Sequence, residues 1–334
     1  PWADRVEMVG GAVEDSDVVS EAVKGMDAAY YLVQAMCSGP DPSHPDRIAA
    51  ERFSEAAVGI PQVICVSGLL PDPAGKVIPP HLWSQAEVGE ILASRLPTTE
   101  LRIGPLIGSG SAFFEMLQGI TERPTVAFGP RWIRNHLQPI ALRDLLAYLM
   151  AALGRDDALG VIELGSRPQS FRQMMRVYAH LRGIRRAVIP LPVSAPGLSA
   201  AWVGLVTPLP NCLCFRLVQG MGAPIKGQTQ RSRQLFPEIN PIPFREALER
   251  ALSRTDAQDV KTRWSDALGR RESYRLGGQE GLLREVRTRL IDASPEDVFS
   301  ALSSLGGEGG WLVWNWAWRL RGLLDKLVGG PGLR

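Results

Sequence analysis

The stretch Asp27-Ala-Ala-Tyr-Tyr-Leu-Val33 decides the fold of this chain. It runs without polar alternation, and such runs are typical of strands buried on both faces of a parallel sheet. Segments with the apolar spacing of helices flank it, from Asp17 to Gly25 and, after a loop, from Asp46 to Val58. A buried strand between two helices is the repeating pattern of an α/β protein.

The neighbouring segments continue this alternation. Val6–Val9, Gln62–Ser67 and Thr99–Ile103 have the composition of strands, and a helix is predicted from about Leu82 to Leu96. Crossovers between parallel strands are nearly always right-handed, which places helices on both faces of the sheet. The sequence therefore predicts an α/β fold with a doubly wound, parallel, Rossmann-like sheet.

The rest of the chain predicts a smaller lobe and a tail. Residues 165–250 are denser in proline and loops, and we expect them to form a lobe over the carboxyl edge of the sheet. Residues 255–280 are polar and are predicted to be a linker. A strand at 281–291, a helix at 294–302 and a tryptophan-rich helix at 311–328 form a partial α+β tail, because so few elements cannot bury their own faces.

Composition excludes several classes of function. Lys plus Arg number 37 against 35 for Asp plus Glu, and this near balance gives no basic surface for nucleic acid. The apolar region Ile189–Met221 is interrupted by five prolines, so no integral membrane span is expected. We find no apolar leader and expect a cytoplasmic protein with reduced, buried thiols at Cys37, Cys65, Cys212 and Cys214, and no metal site.

Three segments carry a family resemblance. The run Asp27–Val33, the strand Val63-Ile-Cys-Val-Ser-Gly-Leu69 and above all Leu101-Arg-Ile-Gly-Pro-Leu-Ile-Gly-Ser-Gly-Ser-Ala-Phe-Phe-Glu115 resemble the atypical short-chain dehydrogenase/reductases of the NmrA-like group. The resemblance covers roughly residues 2–253. The tail is similar to the opening of a helix-grip-like domain of unassigned function that a bacterial subset of the group carries.

The resemblance implies a domain plan and a cofactor. Residues 1–254 would be an NAD(P)-binding domain that lacks its first βαβ segment, where the glycine-rich phosphate loop would stand. Residues 255–280 would be the linker, and 281–334 a fragment of the helix-grip-like domain. NADP or NAD is the implied cofactor, with a small-molecule substrate or ligand beside it.

The carboxyl ends of three strands supply the candidate cofactor residues. Small residues there allow a cofactor to approach the backbone, although glycine and serine at strand ends are also ordinary turn residues. In the resembled group these three positions line, in order, the adenine ribose, the nicotinamide ribose and the nicotinamide ring. The cofactor-binding residues so predicted are Gln34, Ala35 and Met36, then Ser67 and Gly68, then Gly104, Pro105 and Ile107.

The proton-donor pair of the superfamily is altered in this chain. Typical members use Tyr-x-x-x-Lys, and the resemblance aligns His81 and Gln85 with those two positions. A histidine can transfer a proton near neutral pH, whereas a glutamine next to the cofactor supplies no positive charge. The catalytic candidates are therefore His81 and the hydroxyl of Ser67, with a structural role for His81 as the alternative.

Two further segments leave alternatives open. Gly108-Ser-Gly-Ser111 precedes a helix, so its backbone amides either hold an anion or belong to a plain serine-capped helix start. Asp144 is expected to cap the next helix, and the lobe offers apolar surface without an evident charged anchor for a substrate.

Two functions follow from the resemblance. The first is an oxidoreductase-like protein that transfers hydride between NAD(P) and a small carbonyl or unsaturated substrate. The alternative is a non-catalytic protein that senses NADP(H) or mediates an interaction. The altered proton-donor pair leaves open whether the chain is an enzyme.

Overall fold

A computed structural model describes most of the chain in two compact units, Pro1–Leu268 and Gly269–Arg334. The described residues are 5–34, 43–71, 78–123, 127–155, 157–184, 188–190, 196–257, 273–279, 282–288, 293–303, 316–319 and 322.

Helices and strands alternate through the first half of the chain. The helices are α1 Ser16–Val23, α2 Ser43–Ala56, α3 Pro80–Arg95, α4 Ala112–Glu122, α5 Leu142–Ala152, α6 Phe171–Leu181, α7 Pro196–Val206, α8 Asn211–Gly220, α9 Gln230–Leu235, α10 Phe244–Asp256 and α11 Pro295–Ser303. The strands are β1 Ala28–Tyr31, β2 Gln62–Gly68, β3 Thr98–Ile103, β4 Leu106–Ile107, β5 Ala127–Gly129, β6 His136–Leu137, β7 Ile140–Ala141, β8 Gly160–Leu164, β9 Gln169–Ser170, β10 Val188–Pro190, β11 Ser273–Gln279 and β12 Leu282–Thr288.

The central sheet has four parallel strands in the order β1-β2-β3-β8. Helix α2 connects β1 to β2, and α3 connects β2 to β3, so both are βαβ units. The register aligns Ser67 with Arg102 and Gly68 with Ile103, which brings the carboxyl ends of β2 and β3 to the same edge. The predicted α/β fold with a parallel sheet is confirmed.

Apolar residues cover both faces of the sheet. Val63 and Cys65 of β2 pack with residues of α1, α2 and α3, whereas Ile64 packs on the other face with Leu101 and Tyr148. All five are at most 2% exposed. Because β2 alternates between two buried helix layers, every one of its central side chains is apolar, as the sequence pattern indicates.

A third apolar cluster builds the lobe beside the sheet. Phe114 of α4, Phe171 of α6, Leu213 of α8 and Leu248 of α10 belong to it and are at most 1% exposed. Aromatic edge contacts reinforce it, with the rings of Phe113 and Phe171 5.7 Å apart. This cluster holds α4, which precedes the predicted lobe, and α8, which lies within it; both helices line the cleft described below.

The proline-broken apolar region forms separate elements. Strand β10 and helices α7 and α8 divide it, and Pro210 stands directly before α8. None of the described helices has both the length and the apolar character that crossing a membrane requires.

Two sequence expectations change, and a third is not tested. Val6–Val9 is not a strand: Val6 and Met8 are 50% and 75% exposed, and no described strand pairs with them. Strand β11 lies inside the predicted linker and pairs antiparallel with β12, so hairpin pairing outweighs the polar, glycine-containing composition. Most of the tryptophan-rich segment 311–328 lies outside the described residues.

The cysteines differ from one another. Cys65 and Cys214 are free and buried, as expected. Cys212 is exposed and disulfide-bonded, which contradicts the expected reduced thiol, and Cys37 lies outside the described residues.

Candidate functional site

A cleft of about 250 Å³ lies at the carboxyl edge of β2 and β3. We call it the carboxyl-edge cleft. The sequence-predicted residues that line it are Gln34, Ser67, Gly68, His81, Gln85, Gly104 and Pro105. The structure thus brings together residues from three predicted strand ends and from the start of α3.

The other three predicted cofactor residues have different outcomes. Ala35 and Met36 are outside the described residues. Ile107 does not line the carboxyl-edge cleft; it is 2% exposed, belongs to the lobe cluster and faces a different cavity. The preceding residue, Leu106, does line the carboxyl-edge cleft, because consecutive strand residues point to opposite sides.

Gln85 fixes the end of β2. The backbone N–H of Gly68 donates to Gln85 Oε1 at 2.7 Å, and Gln85 Nε2 donates to Gln34 Oε1 at 3.3 Å. Gln34 Nε2 in turn donates to the carbonyl of Val66 at 3.3 Å. Since both ends of the Gln85 amide are engaged, this residue positions the strand end and supplies no charge to the cleft.

Ser67 points toward a charged pair under α3. Its hydroxyl donates to Glu100 Oε1 at 2.5 Å, and Arg102 Nε donates to the same oxygen at 2.7 Å. Ser67 and Glu100 are 4% and 3% exposed. A hydroxyl that donates to a buried carboxylate is held in place and is not directed at a substrate in this arrangement.

His81 is a buried, neutral imidazole at the wall of the cleft. It is 6% exposed, and its Nδ1 has no hydrogen-bond partner. Burial, with a smaller contribution from the positive charge of Arg216, lowers the pKa of His81 to about 4. At neutral pH the ring therefore carries no acidic imidazolium proton, which weakens the predicted role as proton donor.

Arg216 is the charged residue that the sequence prediction missed. It lies on α8, is 7% exposed and lines the carboxyl-edge cleft together with Leu213 and Leu217. The wall across from the sheet is otherwise apolar. Nothing in the sequence near Arg216 separates it from the other scattered arginines, because its burial depends on how the lobe packs on the sheet.

The amino end of α4 also reaches the cleft. Ser111 caps this helix by accepting from the N–H of Phe114 at 3.3 Å. Ala112 and Phe113 line the cleft beside Ser111. The positive end of a helix dipole and the guanidinium of Arg216 both favour a negatively charged group in this half of the cleft.

Gly104 is required by backbone packing. A Cβ at this position would lie 1.6 Å from the carbonyl oxygen of Gln138, so any side chain would force β3 and the Gln138 segment apart. The glycine allows a close backbone approach, and the group that approaches is the protein's own carbonyl.

Asp144 does not cap α5 by a side-chain bond to its amides. Its Oδ2 accepts from the backbone N–H of Ile242 at 2.8 Å and ties α5 to the segment before α10. Burial raises the pKa of this carboxyl above its usual range. The expected cap is therefore corrected to a long-range anchor.

Comparison with known proteins establishes the fold. No protein-family model and no curated protein matches the chain. The WbmG enzyme of Bordetella bronchiseptica, solved with NAD and UDP, is 13% identical with a TM-score of 0.58, over 77% of this chain and 81% of that one.

Two further structures give the same result. UDP-glucose 4-epimerase of Thermotoga maritima, solved with UDP-glucose, is 13% identical with a TM-score of 0.56, over 75% of this chain and 84% of that one. RMD of Pseudomonas aeruginosa, solved with NADPH, is 12% identical with a TM-score of 0.55, over 75% and 88%. This likeness shows a Rossmann-like α/β fold.

Proposed function

We propose that this chain is an NAD(P)-binding, oxidoreductase-like protein of the short-chain dehydrogenase/reductase type, in its NmrA-like group. The observation that carries the proposal is the carboxyl-edge cleft, because ligands of open α/β sheets bind outside the carboxyl ends of the strands. WbmG and RMD, which share the fold, were solved with NAD and NADPH, and this supports a dinucleotide as the ligand.

The size of the cleft favours one half of the cofactor. Pockets for drug-sized ligands measure roughly 300–1,000 Å³, and the carboxyl-edge cleft measures about 250 Å³. Its leucine-lined wall and the glycines at the strand ends suit a flat ring such as nicotinamide. Gly68, Gly104 and Pro105 would lie against the nicotinamide half, with Gln34 and Gln85 holding the strand ends in position.

The substrate would lie beside the ring, near Arg216. When bound, the cofactor supplies or accepts hydride at its nicotinamide ring. Arg216 would hold an anionic group of a small carbonyl or unsaturated substrate, and the leucines of α8 would exclude water. A carboxylate or phosphate next to a buried guanidinium gains a charge-assisted hydrogen bond.

Sensing without turnover is the second candidate, and a specific observation favours it. Reduction of a carbonyl needs a proton donor, and the two candidates from the sequence are poorly suited. His81 is neutral at pH 7, and the hydroxyl of Ser67 donates to Glu100. A protein that binds NADP(H) without a proton relay can report the redox state of the pool.

Binding is tested by filling the cleft. Leu217, half-buried on α8, lines it, and Leu217→Trp would occupy its space. We expect NADPH to raise the Tm of the unaltered chain by mass action and to have little effect on Leu217→Trp. The matched control is Leu205→Trp, at a leucine of α7 that is 76% exposed.

The outcomes separate the two candidates. No rise in Tm at millimolar NADPH or NADH would contradict both. Binding with NADPH oxidation in the presence of small carbonyl compounds, lost in Arg216→Met, would support the oxidoreductase. Binding without turnover would support the sensor.

The domain plan and location are also proposals. We propose a cofactor domain over 1–254, a linker over 255–280 and a helix-grip-like fragment over 281–334, in a cytoplasmic protein. The boundary between the compact units, at Leu268, falls inside that linker and supports the plan, whereas strand β11 argues for an earlier start of the tail.

A further inference from the structure

A second cavity, of about 480 Å³, lies between α5 and α10. Three arginines line it: Arg143 from the first turn of α5, and Arg250 and Arg254 from one side of α10. We call it the arginine cleft. Its volume falls within the roughly 300–1,000 Å³ typical of small-molecule sites.

The charge of the arginine cleft is largely uncompensated. Its lining contains no carboxylate. Within the described part of the chain, Arg143 and Arg254 form no ion pair, and Arg250 pairs only with Glu246, one helical turn away on the surface. Exposed pairs of this kind contribute about 0–1 kcal/mol, so a ligand can replace Glu246 as the partner of Arg250.

Asp144 is the other acid nearby. It lies behind the wall of the cleft, is 3% exposed and uses its Oδ2 to accept from Ile242. Arg143 and Arg250 act on it electrostatically, but burial dominates and raises its pKa. Asp144 is not among the lining residues, and the charged side chains that face the cavity are the three arginines.

The backbone and Ser109 add to the preference for an anion. The amino end of α5 lines the arginine cleft, and Ala141, the residue before the helix, makes no side-chain cap. The positive end of the helix dipole thus faces the same space as the arginines. Ser109 lines the cleft as well and provides a hydroxyl donor, whereas the hydroxyl of Ser253 donates to the carbonyl of Arg250 at 2.9 Å.

The remaining wall is apolar. Leu142, Leu146 and Ile242 line it, and Leu146 is 52% exposed although it is a large aliphatic residue. A free inorganic anion would leave this surface in water. An anion attached to an apolar body would cover it and gain free energy in proportion to the area buried.

We propose that the arginine cleft is a binding site for a small organic phosphate, whose phosphate group is held by Arg143, Arg250 and Arg254 and whose apolar body packs on Leu142 and Leu146. The guanidinium fork matches phosphate oxygens bidentately, which favours phosphate over a single carboxylate. This site is separate from the carboxyl-edge cleft. The segment 106–112 contributes to both, with Leu106 lining the first cavity and Ile107 the second.

The test measures the binding of 2-naphthyl phosphate to the full chain by isothermal titration calorimetry. We expect saturable binding, weaker at high salt, and at least about tenfold weaker in Arg143→Gln/Arg254→Gln. The charge-matched control is Arg52→Gln/Arg245→Gln, which removes two exposed arginines elsewhere and should stay within about twofold of the unaltered chain.

Two further variants show where the ligand binds and where its apolar body packs. Leu217→Trp fills the carboxyl-edge cleft and should leave naphthyl phosphate binding unchanged. Leu146→Ser should weaken the naphthyl phosphate but not inorganic phosphate. Circular dichroism and Tm confirm that each variant is folded.

Three results would overturn the proposal. One is undiminished binding in Arg143→Gln/Arg254→Gln, and another is an equal loss in the charge-matched control, which would indicate a general attraction to positive charge. The third is loss in Leu217→Trp alone, which would place the ligand beside Arg216. None of these results bears on whether the carboxyl-edge cleft binds NADPH.

Discussion

At the scale of single residues, His81 couples the stability of the protein to pH. Its pKa in the folded state, about 4, is below the usual 6.5, so the folded state binds a proton less readily than the unfolded chain. The stabilisation is complete above pH 6.5 and is lost as the pH falls toward 4. At about 1.4 kcal/mol per pH unit, the full effect is about 3 kcal/mol.

Replacing His81 should remove this pH dependence. His81→Phe, which keeps a ring of similar size, should flatten the decrease in unfolding free energy between pH 6.5 and 4, measured by urea denaturation. The control is His180→Phe at an exposed position of α6, where the decrease should remain. An unchanged slope in His81→Phe would show that other groups cause the acid sensitivity.

For His81, the sequence predicts the position of the residue but not its protonation state. Its place at the start of α3 and at the cleft follows from the proline before it and from the strand that precedes the loop. Its neutral state depends on burial by the lobe and on Arg216, which lies far along the chain. No local pattern contains that information.

At the scale of elements, the pair Glu100–Arg102 joins β3 to β2 and α3. The glutamate is 3% exposed, accepts from Ser67 and lies beneath Gly89, where a Cβ would meet its carboxylate at 2.4 Å. Removing one member of a buried pair leaves the other uncompensated, whereas removing both costs less than the sum.

A double-mutant cycle tests this arrangement. We expect Glu100→Gln to destabilise the protein by about 2 kcal/mol, and Glu100→Gln/Arg102→Met to show a favourable coupling of about 1 kcal/mol or more. The comparison cycle is Arg245–Glu249 on the surface of α10, with an expected coupling of about 0.3–0.5 kcal/mol. Equal coupling in both cycles would mean that burial does not strengthen the inner pair.

The elements that the sequence predicts well are those with an apolar period. Strand β3 was expected at 99–103 and spans Thr98–Ile103, because Leu101 and Ile103 alternate with polar residues toward a covered face. Strand β11 was missed because Gly277 and Gly278 have low strand propensity, and only pairing with β12 stabilises them.

At the scale of the whole molecule, the first compact unit contains all three apolar clusters. Their buried residues lie between Val19 and Leu252, and the unit ends at Leu268. A chain ending at Leu268 should therefore keep the main thermal transition within about 4 °C and keep its NADPH response. Differential scanning calorimetry measures this transition. Loss of a cooperative transition in the shortened chain would mean that the tail is needed for folding.

The topology followed from the crossover rule, but the cavities did not. The carboxyl edge was predicted as the ligand site from the strand ends together with the family resemblance. The arginine cleft was not predicted. Arg143 and Arg250 lie on helices that are far apart in the sequence and that come together only in the folded chain. Charges scattered along a chain gather on a surface through tertiary packing.

The two-residue strand β4 has one side chain in each cavity. A ligand that displaced Leu106 would act on Ile107 through the peptide bond they share, and the reverse would hold as well. Thermodynamic linkage requires the two effects to be equal: if the phosphate compound changes the affinity for the dinucleotide by some factor, the dinucleotide changes the affinity for the phosphate compound by that same factor. If the two sites were coupled through this strand, each ligand would report on the concentration of the other.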